Sequence, residues 1–106
     1  MKKVTNDFQL FMEASGGVGQ ALMGSIMKVA EVSALDPKTH ELAYIAVLSA
    51  LQMAGGLPYH VNHAKELGAT LEEVKSAVLV GIPLSGIRLV EAFSTAIQSY
   101  NEEEQK

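Results

Sequence analysis

One carboxylate and one imidazole hold comparable positions in two consecutive apolar segments of the sequence. Glu41 follows the pair Asp36-Pro37 near the start of the first segment, and His60 follows Pro58 near the start of the second. A carboxylate and an imidazole that meet can bind and transfer a proton near neutral pH. Glu41 and His60 are therefore the predicted catalytic residues.

The role of Glu41 has two interpretations. A carboxylate in the first turn of a helix interacts favourably with the helix dipole and needs no further purpose. Ile45, Leu48 and Gln52 follow it on the same helix face, however, so the carboxylate would lie against a largely apolar wall. Because loss of water disfavours the charged form, that wall predicts a raised pKa and a usable proton donor or acceptor.

The predicted place of His60, in the first turn of its helix, favours a neutral ring that can accept a proton. The alternative is a structural histidine bonded to a nearby carbonyl group. His63 lies one turn further on, and the two histidines with Glu41 could form a two-histidine, one-carboxylate metal site. No further acidic ligand is evident, so we predict neither a metal nor another cofactor.

Two tyrosines, Tyr44 and Tyr59, could add hydroxyl groups to the same region as binding residues. Tyrosines with an apolar body and a hydrated hydroxyl are also ordinary in helical bundles. A structural role therefore stays open for each.

The position of the turn between the two segments decides whether Glu41 and His60 meet. A turn near residues 50–51 would bring them level, whereas a turn at Gly55-Gly56 would offset them by roughly 15 Å. The glycines and Pro58 favour the later turn, which weakens a direct pair within one chain. An early, irregular start to the fourth helix, or a neighbouring subunit, would restore the pair.

Helical periodicity recurs throughout the chain, and it predicts an all-α bundle of about six helices in a single domain, residues 1–106. Asp36 before Pro37 indicates a helix start, and Thr70 with Glu73 is a predicted capping box. Pro83 is expected to end or kink the fifth helix. The predicted helices cover about residues 6–14, 18–33, 37–54, 58–67, 71–82 and 87–100.

The overall composition narrows the classes of function. The net charge is −4, with no basic cluster beyond Lys2 and Lys3, so nucleic-acid binding is not expected. Charged residues make up 19% of the chain and the mean hydropathy is +0.17, which predicts a second buried surface in a homo-oligomer, or else an alanine-rich core. No unbroken apolar run approaches ~20 residues and no signal peptide is evident, so a cytoplasmic protein without a membrane span is expected.

The motifs around these residues resemble a known family. The run L-D-x-K-T-x-E-L from Leu35, an apolar helix, the run H-x-x-x-A-x-x-x-G-A-T from His60 and the following E-E-V are similar to the carboxymuconolactone decarboxylase or AhpD-like family. The similarity covers about half of the chain, from Leu35 to Gly86. It implies an AhpD-like helical fold that assembles as trimers or, in short single-domain members, hexamers.

The resemblance also implies a place for each reactive group. Redox members use a C-x-x-C pair with a glutamate and a histidine as a proton relay. Glu41 and His60 match those two residues, and the cysteine positions fall on Met53 and Gly56. The sequence has no cysteine, so a thiol peroxidase cycle is not expected, and oxygen or peroxide detoxification remains an association of the family.

Two functions follow as hypotheses. Decarboxylase members also lack the cysteine pair, so the resemblance leaves open a cofactor-free lyase or proton-transfer enzyme that acts on a small organic acid. A carboxylated substrate would need a basic partner, for which Lys65 and Arg88 are the candidates. The alternative is an oligomeric helical protein without catalytic activity.

Overall fold

The chain forms helices joined by short turns. The computed structural model describes residues 5–102, and it contains no β-strand within that range. The prediction of an all-α fold is confirmed. The helices are α1 (Asn6–Ala14), α2 (Gly17–Val32), α3 (Pro37–Ala50), α4 (Leu57–Glu66), α5 (Leu71–Leu79), α6 (Ile82–Ser85) and α7 (Val90–Asn101), with 3-10 turns at Ala54–Gly56 and Gly86–Leu89.

Side-chain caps set the starts of α3 and α5. The Asp36 carboxylate accepts a hydrogen bond from the backbone N–H of Thr39 at 3.3 Å. The predicted capping box is present at α5, because the Glu73 N–H donates to Thr70 Oγ1 at 3.0 Å and the Thr70 N–H donates to Glu73 Oε1 at 2.9 Å. Lys38 then contacts Glu73 Oε2 at 3.2 Å and connects the two helix starts.

The core lies where α3, α4, α5 and α7 pack together. Each of these helices buries residues at spacings of three and four, which is the period of a helix face directed at a core. Small residues at these positions of α7 are buried and leave room for a close approach to α4 and α5. The core residues include Ile45, Leu48, Leu57, Val61, Ala64, Val74, Val78, Ala92 and Ala96.

A polar clamp joins the end of α4 to the end of α7. The Tyr100 hydroxyl donates to the carbonyl oxygen of Ala69 at 2.8 Å. The Lys65 ammonium donates to the carbonyl oxygen of Tyr100 at 2.7 Å and lies 4.8 Å from the centre of the Tyr100 ring. Lys65 therefore serves the packing of these two helices.

The α1–α2 hairpin, residues 6–32, lies outside this core. Gly19 is the one buried residue of α2. The helical spacing of Leu22, Ile26, Val29 and Ala30 predicts an apolar stripe on α2. Leu22 and Val29 are nevertheless 42% and 57% exposed. Ile26 and Ala30, also on the stripe, line a cavity instead.

The stretch Leu71–Asn101 is apolar and long enough to cross a membrane by length and composition, although the structure divides it. The fifth helix ends at Leu79, before the predicted end, and the last begins at Val90. Pro83 occupies the first turn of α6, and Gly86 adopts a left-handed φ of 64°. The resulting helices of 9, 4 and 12 residues are each shorter than the ~20 residues that a span needs.

Candidate functional site

The turn between α3 and α4 begins early and brings the heads of the two helices level. α3 ends at Ala50, five residues before the glycine pair that the sequence favours as the turn. Gln52 adopts a left-handed φ of 60°, and the N–H of Met53 donates back to the carbonyl oxygen of Leu48 at 2.9 Å. A 3-10 turn, Ala54–Gly56, then leads into α4. The prediction of a later turn at Gly55-Gly56 is therefore wrong.

Glu41 and His60 meet within one chain because of this early turn. Nδ1 of His60 lies 2.9 Å from Oε1 of Glu41, a short charge-assisted hydrogen bond. Nδ1 of His63 lies 3.5 Å from Oε2 of the same carboxylate. An ionised carboxylate has no proton to give, so Nδ1 of His60 donates this hydrogen bond, and a ring without a second proton has its lone pair on Nε2.

The two predicted tyrosines pack on the His60 ring. Tyr44 stacks on it with a centroid distance of 4.2 Å and an angle of 18° between the planes. Tyr59 meets it edge-on, at 5.0 Å and 90°. The two aromatic rings and the Glu41 carboxylate together fix the orientation of the imidazole.

The pKa of the Glu41 carboxyl group is lowered from its ordinary value. Burial alone would raise it, as the sequence predicts, but hydrogen bonding and the positive charge of His60 and His63 act in the opposite direction and prevail. The expectation of a raised pKa is therefore wrong. Glu41 is a carboxylate at neutral pH, so it acts as an acceptor that orients His60 and not as a proton donor.

A dependence of stability on pH follows from this lowered pKa. A group whose pKa is depressed by folding stabilises the protein fully above its unfolded-state pKa, and this contribution is lost as pH falls through the folded-state pKa. We expect the wild-type advantage over Glu41→Gln to shrink as pH is lowered from 6 to below 4.5, the ordinary value. Urea unfolding of both proteins along that pH series measures it; a constant difference would contradict the prediction.

The second nitrogen of His60 is accessible. No described residue forms a hydrogen bond with Nε2, and among the described residues no buried side-chain nitrogen or oxygen lacks a partner. Nε2 must therefore be reached by solvent or by a ligand. A lone pair in this position is what a general base requires.

A cavity of about 700 Å³ covers the pair and accounts for this access. One of its sides is formed by α3, α4 and the turn between them. The seven residues that the sequence assigns to catalysis, to binding or to the cysteine positions all line it, because this one turn brings them together. They are Glu41, Tyr44, Met53, Gly56, Tyr59, His60 and His63.

The opposite side of the cavity was not predicted. The α1–α2 hairpin supplies it, chiefly with Phe8, Met23, Ile26 and Met27. The apolar stripe on α2 could have indicated this side, but the stripe faces a cavity and does not pack on the core. His40 also lines the cavity and was missed; its Nδ1 lies 3.4 Å from Ser33 Oγ.

The three candidate metal ligands, Glu41, His60 and His63, are paired with one another. Within residues 5–102 there is no cluster of three or more histidine and acidic side chains that could hold a metal ion. The Glu41 oxygens face the two Nδ1 atoms directly, which leaves an ion no place between them.

A family model identifies the protein family of this chain. The model described as the carboxymuconolactone decarboxylase family matches residues 17–98, more than half of the chain. The chain belongs to the carboxymuconolactone decarboxylase family. No curated protein and no solved structure matches it.

In this carboxymuconolactone decarboxylase family member, Met53 and Gly56 are the residues at which the resemblance predicts the cysteines of redox members. Met53 is 53% exposed beside the cavity. Gly56 packs on the core, since a Cβ placed there would lie 3.2 Å from Cδ2 of Leu48, and a side chain would require Leu48 to shift. The sequence has no cysteine, and a thiol–disulfide cycle needs two.

Proposed function

We propose that this protein is a cofactor-free enzyme that transfers a proton to or from a small organic molecule. The observation that carries the proposal is the 2.9 Å hydrogen bond between His60 and Glu41 beneath the cavity. The bond leaves Nε2 of His60 without a partner among the described residues, and His60 lines a cavity that can hold a ligand. Cavities of this size are typical of small-molecule sites.

His60 is the general base in the proposed reaction. Nε2 removes a proton from a carbon next to a substrate carbonyl group: the C–H bond breaks, the N–H bond forms, and the electron pair moves onto the carbonyl oxygen as an enolate. Glu41 stabilises the resulting imidazolium through Nδ1. The imidazolium then returns the proton to the same carbon or to another one.

Decarboxylation is a second reaction that the same groups support. The C–C bond to the carboxylate breaks, carbon dioxide leaves, and the electron pair remains on an enolate, which protonated His60 then protonates at carbon. This reaction needs a substrate carboxylate near the pair. Neither of the basic candidates lines the cavity: Lys65 belongs to the α4–α7 clamp, and Arg88 lies in the second 3-10 turn.

Nuclear magnetic resonance in deuterium oxide tests the proposal directly. The full chain is incubated with carboxymuconolactone and with a panel of uncharged lactones and ketones, and both loss of carbon dioxide and exchange of C–H for C–D are followed. We expect at least one compound to react faster than in buffer, and His60→Ala to abolish the acceleration. Equal rates for the wild type and His60→Ala across the panel would refute the proposal.

The cavity favours this proposal over a protein without catalysis. In a purely structural pair, the polar atoms of both residues would be hydrogen-bonded within the protein and no cavity would reach them. Here the Nε2 lone pair of His60 is unused by the described residues, and both His60 and Glu41 line the cavity.

We also propose that the protein assembles with copies of itself, through the segment Val80–Val90. Leu84 and Ile87 are 94% and 85% exposed, and Val80 and Val90 are 71% and 65% exposed. Apolar side chains so close together on a surface are typical of a protein interface. The low charged fraction of the whole chain, 19%, supports the same proposal.

The oligomeric state of Leu84→Glu tests this surface. We expect the substitution to shift the protein towards smaller species in light scattering coupled to size exclusion, because it places a charge in the contact. Gln98→Glu, on an exposed position of α7, is the control for the added charge and should leave the mass unchanged. An equal mass for all three proteins would contradict the assignment.

A further inference from the structure

The walls of the cavity indicate the chemical class of its ligand. This inference rests on the proposed function, because it assumes that the cavity lined by Glu41 and His60 is the substrate site. The lining of the cavity has two unlike parts: the α1–α2 hairpin contributes mainly hydrocarbon and thioether groups, together with the Asp7 carboxylate, and the α3–α4 part contributes imidazole, phenol and carboxylate groups. A ligand that matches both sides has an apolar body and a polar group at one end.

The charges around the cavity are unfavourable for an anion. Two carboxylate residues, Asp7 and Glu41, line it, and no lysine or arginine within residues 5–102 does. The described lysines are paired elsewhere: Lys38 with Glu73, Lys75 with Glu72, Lys28 with Glu31, and Lys65 with Tyr100. A ligand carboxylate would meet the carboxylates of Asp7 and Glu41, and within residues 5–102 the only side chains of the lining that could offset them are the histidines, His40, His60 and His63.

The side chains of the α1–α2 hairpin that line the cavity favour contact with a ring. Met23 and Met27 of α2 lie there beside Phe8, and Met53 lies at the turn. Methionine side chains adapt to irregular shapes, and their sulfur atoms make favourable contacts with aromatic rings. The volume of about 700 Å³ is sufficient for a fused two-ring molecule.

We propose that the substrate of this site is an uncharged cyclic molecule with one hydroxyl or carbonyl group, bound with its ring against the α1–α2 hairpin and its oxygen near His60. This class differs from the small organic acid expected from the sequence. The reasons for choosing an uncharged ligand over an acid are the two unlike parts of the lining and the charges around the cavity.

Binding of three matched probes to the full chain tests the ligand class. The probes are 2-naphthol, 2-naphthoate and 2-naphthylmethylammonium, which share one ring system and differ in charge at neutral pH. We expect calorimetry to show the tightest binding for 2-naphthol and at least tenfold weaker binding for 2-naphthoate. Equal or tighter binding of either charged probe, or no binding of any probe, would overturn the proposal.

A charge placed on the apolar side provides a second readout. Met27→Lys, at a cavity position that is 65% exposed, should lower the preference for 2-naphthol over 2-naphthoate about tenfold, because it adds a positive charge to the cavity lining. Gln20→Lys puts the same charge on an exposed position of α2 away from the cavity lining and should leave the ratio unchanged. The same change of ratio in both variants would mean that the ligand does not lie against Met27.

These outcomes separate the ligand class from the proposed function. His60→Ala should retain the order of the three probes, because the order depends on the walls and the charges. Retained order with no turnover of any compound by the wild type would support the ligand class and refute the proton transfer. Preferred binding of 2-naphthoate together with turnover that depends on His60 would do the reverse.

Discussion

Replacing His60 with alanine is expected to lower kcat/KM by about 10²- to 10⁴-fold, the range that a positioned general base contributes. The loss should fall on kcat more than on KM, because Nε2 acts in the transition state while the cavity walls hold the substrate. The measurement is steady-state turnover of whichever compound the exchange assay identifies. Circular dichroism would establish that the variant is folded.

Glu41→Gln should cause a smaller loss in the same assay and alter the pH dependence of kcat. The amide oxygen can still accept the hydrogen bond from Nδ1 of His60, but the charge that stabilises the imidazolium is gone. The double variant should be about as inactive as His60→Ala alone, since residues that act as one unit do not add. Additive losses would show that the two residues act separately.

His63→Gln is the matched control for this pair. His63 lines the same cavity, belongs to the same helix as His60, and contacts the same carboxylate at the longer distance of 3.5 Å. Its side chain is 41% exposed. We expect a loss below about tenfold; a loss equal to that of His60→Ala would make His63 a second member of the proton-transfer unit.

The largest expected effect on stability comes from Leu48→Ala, at about 2–5 kcal/mol. Leu48 is 7% exposed in the centre of the core, and its side chain reaches the position where a Cβ of residue 56 would lie. Its carbonyl oxygen also accepts the hydrogen bond that closes the early turn. Truncation therefore removes core contacts and support for the turn that levels the two helices.

Urea unfolding of Leu48→Ala beside Val47→Ala measures this effect. Val47 is on the same helix and 57% exposed, so its truncation should change the unfolding free energy by less than about 0.5 kcal/mol. We also expect Leu48→Ala to lose activity beyond its loss of stability, as the turn loosens. Equal unfolding free energies for the two variants would place Leu48 outside the core.

The core helices could be predicted from the sequence because their signals are local. Asp36 before Pro37, and Thr70 with Glu73, mark helix starts through contacts between residues three positions apart. The spacing of apolar residues identifies the buried face of α5, with Val74, Ala77 and Val78. The ends of α3 and α5 were harder, since several residues near each could break the helix.

The α1–α2 hairpin shows where periodicity is insufficient. An apolar stripe predicts that a helix face is covered, but it does not say by what. Half of the stripe lines a cavity and the rest is exposed in the single chain. The covering partner is a property of the packed structure or of an assembly, and no local pattern specifies it.

The all-α class, the family and the candidate pair, Glu41 and His60, could be predicted without a structure. The packing of the helices was needed to show that the two residues meet in one chain, that the pKa of Glu41 is lowered and that apolar residues of the α1–α2 hairpin line the same cavity. The physical reason is the turn at Gln52: its left-handed backbone ends α3 early and levels the helices. His60 and His63 then lie close enough to Glu41 to lower its pKa by more than burial raises it.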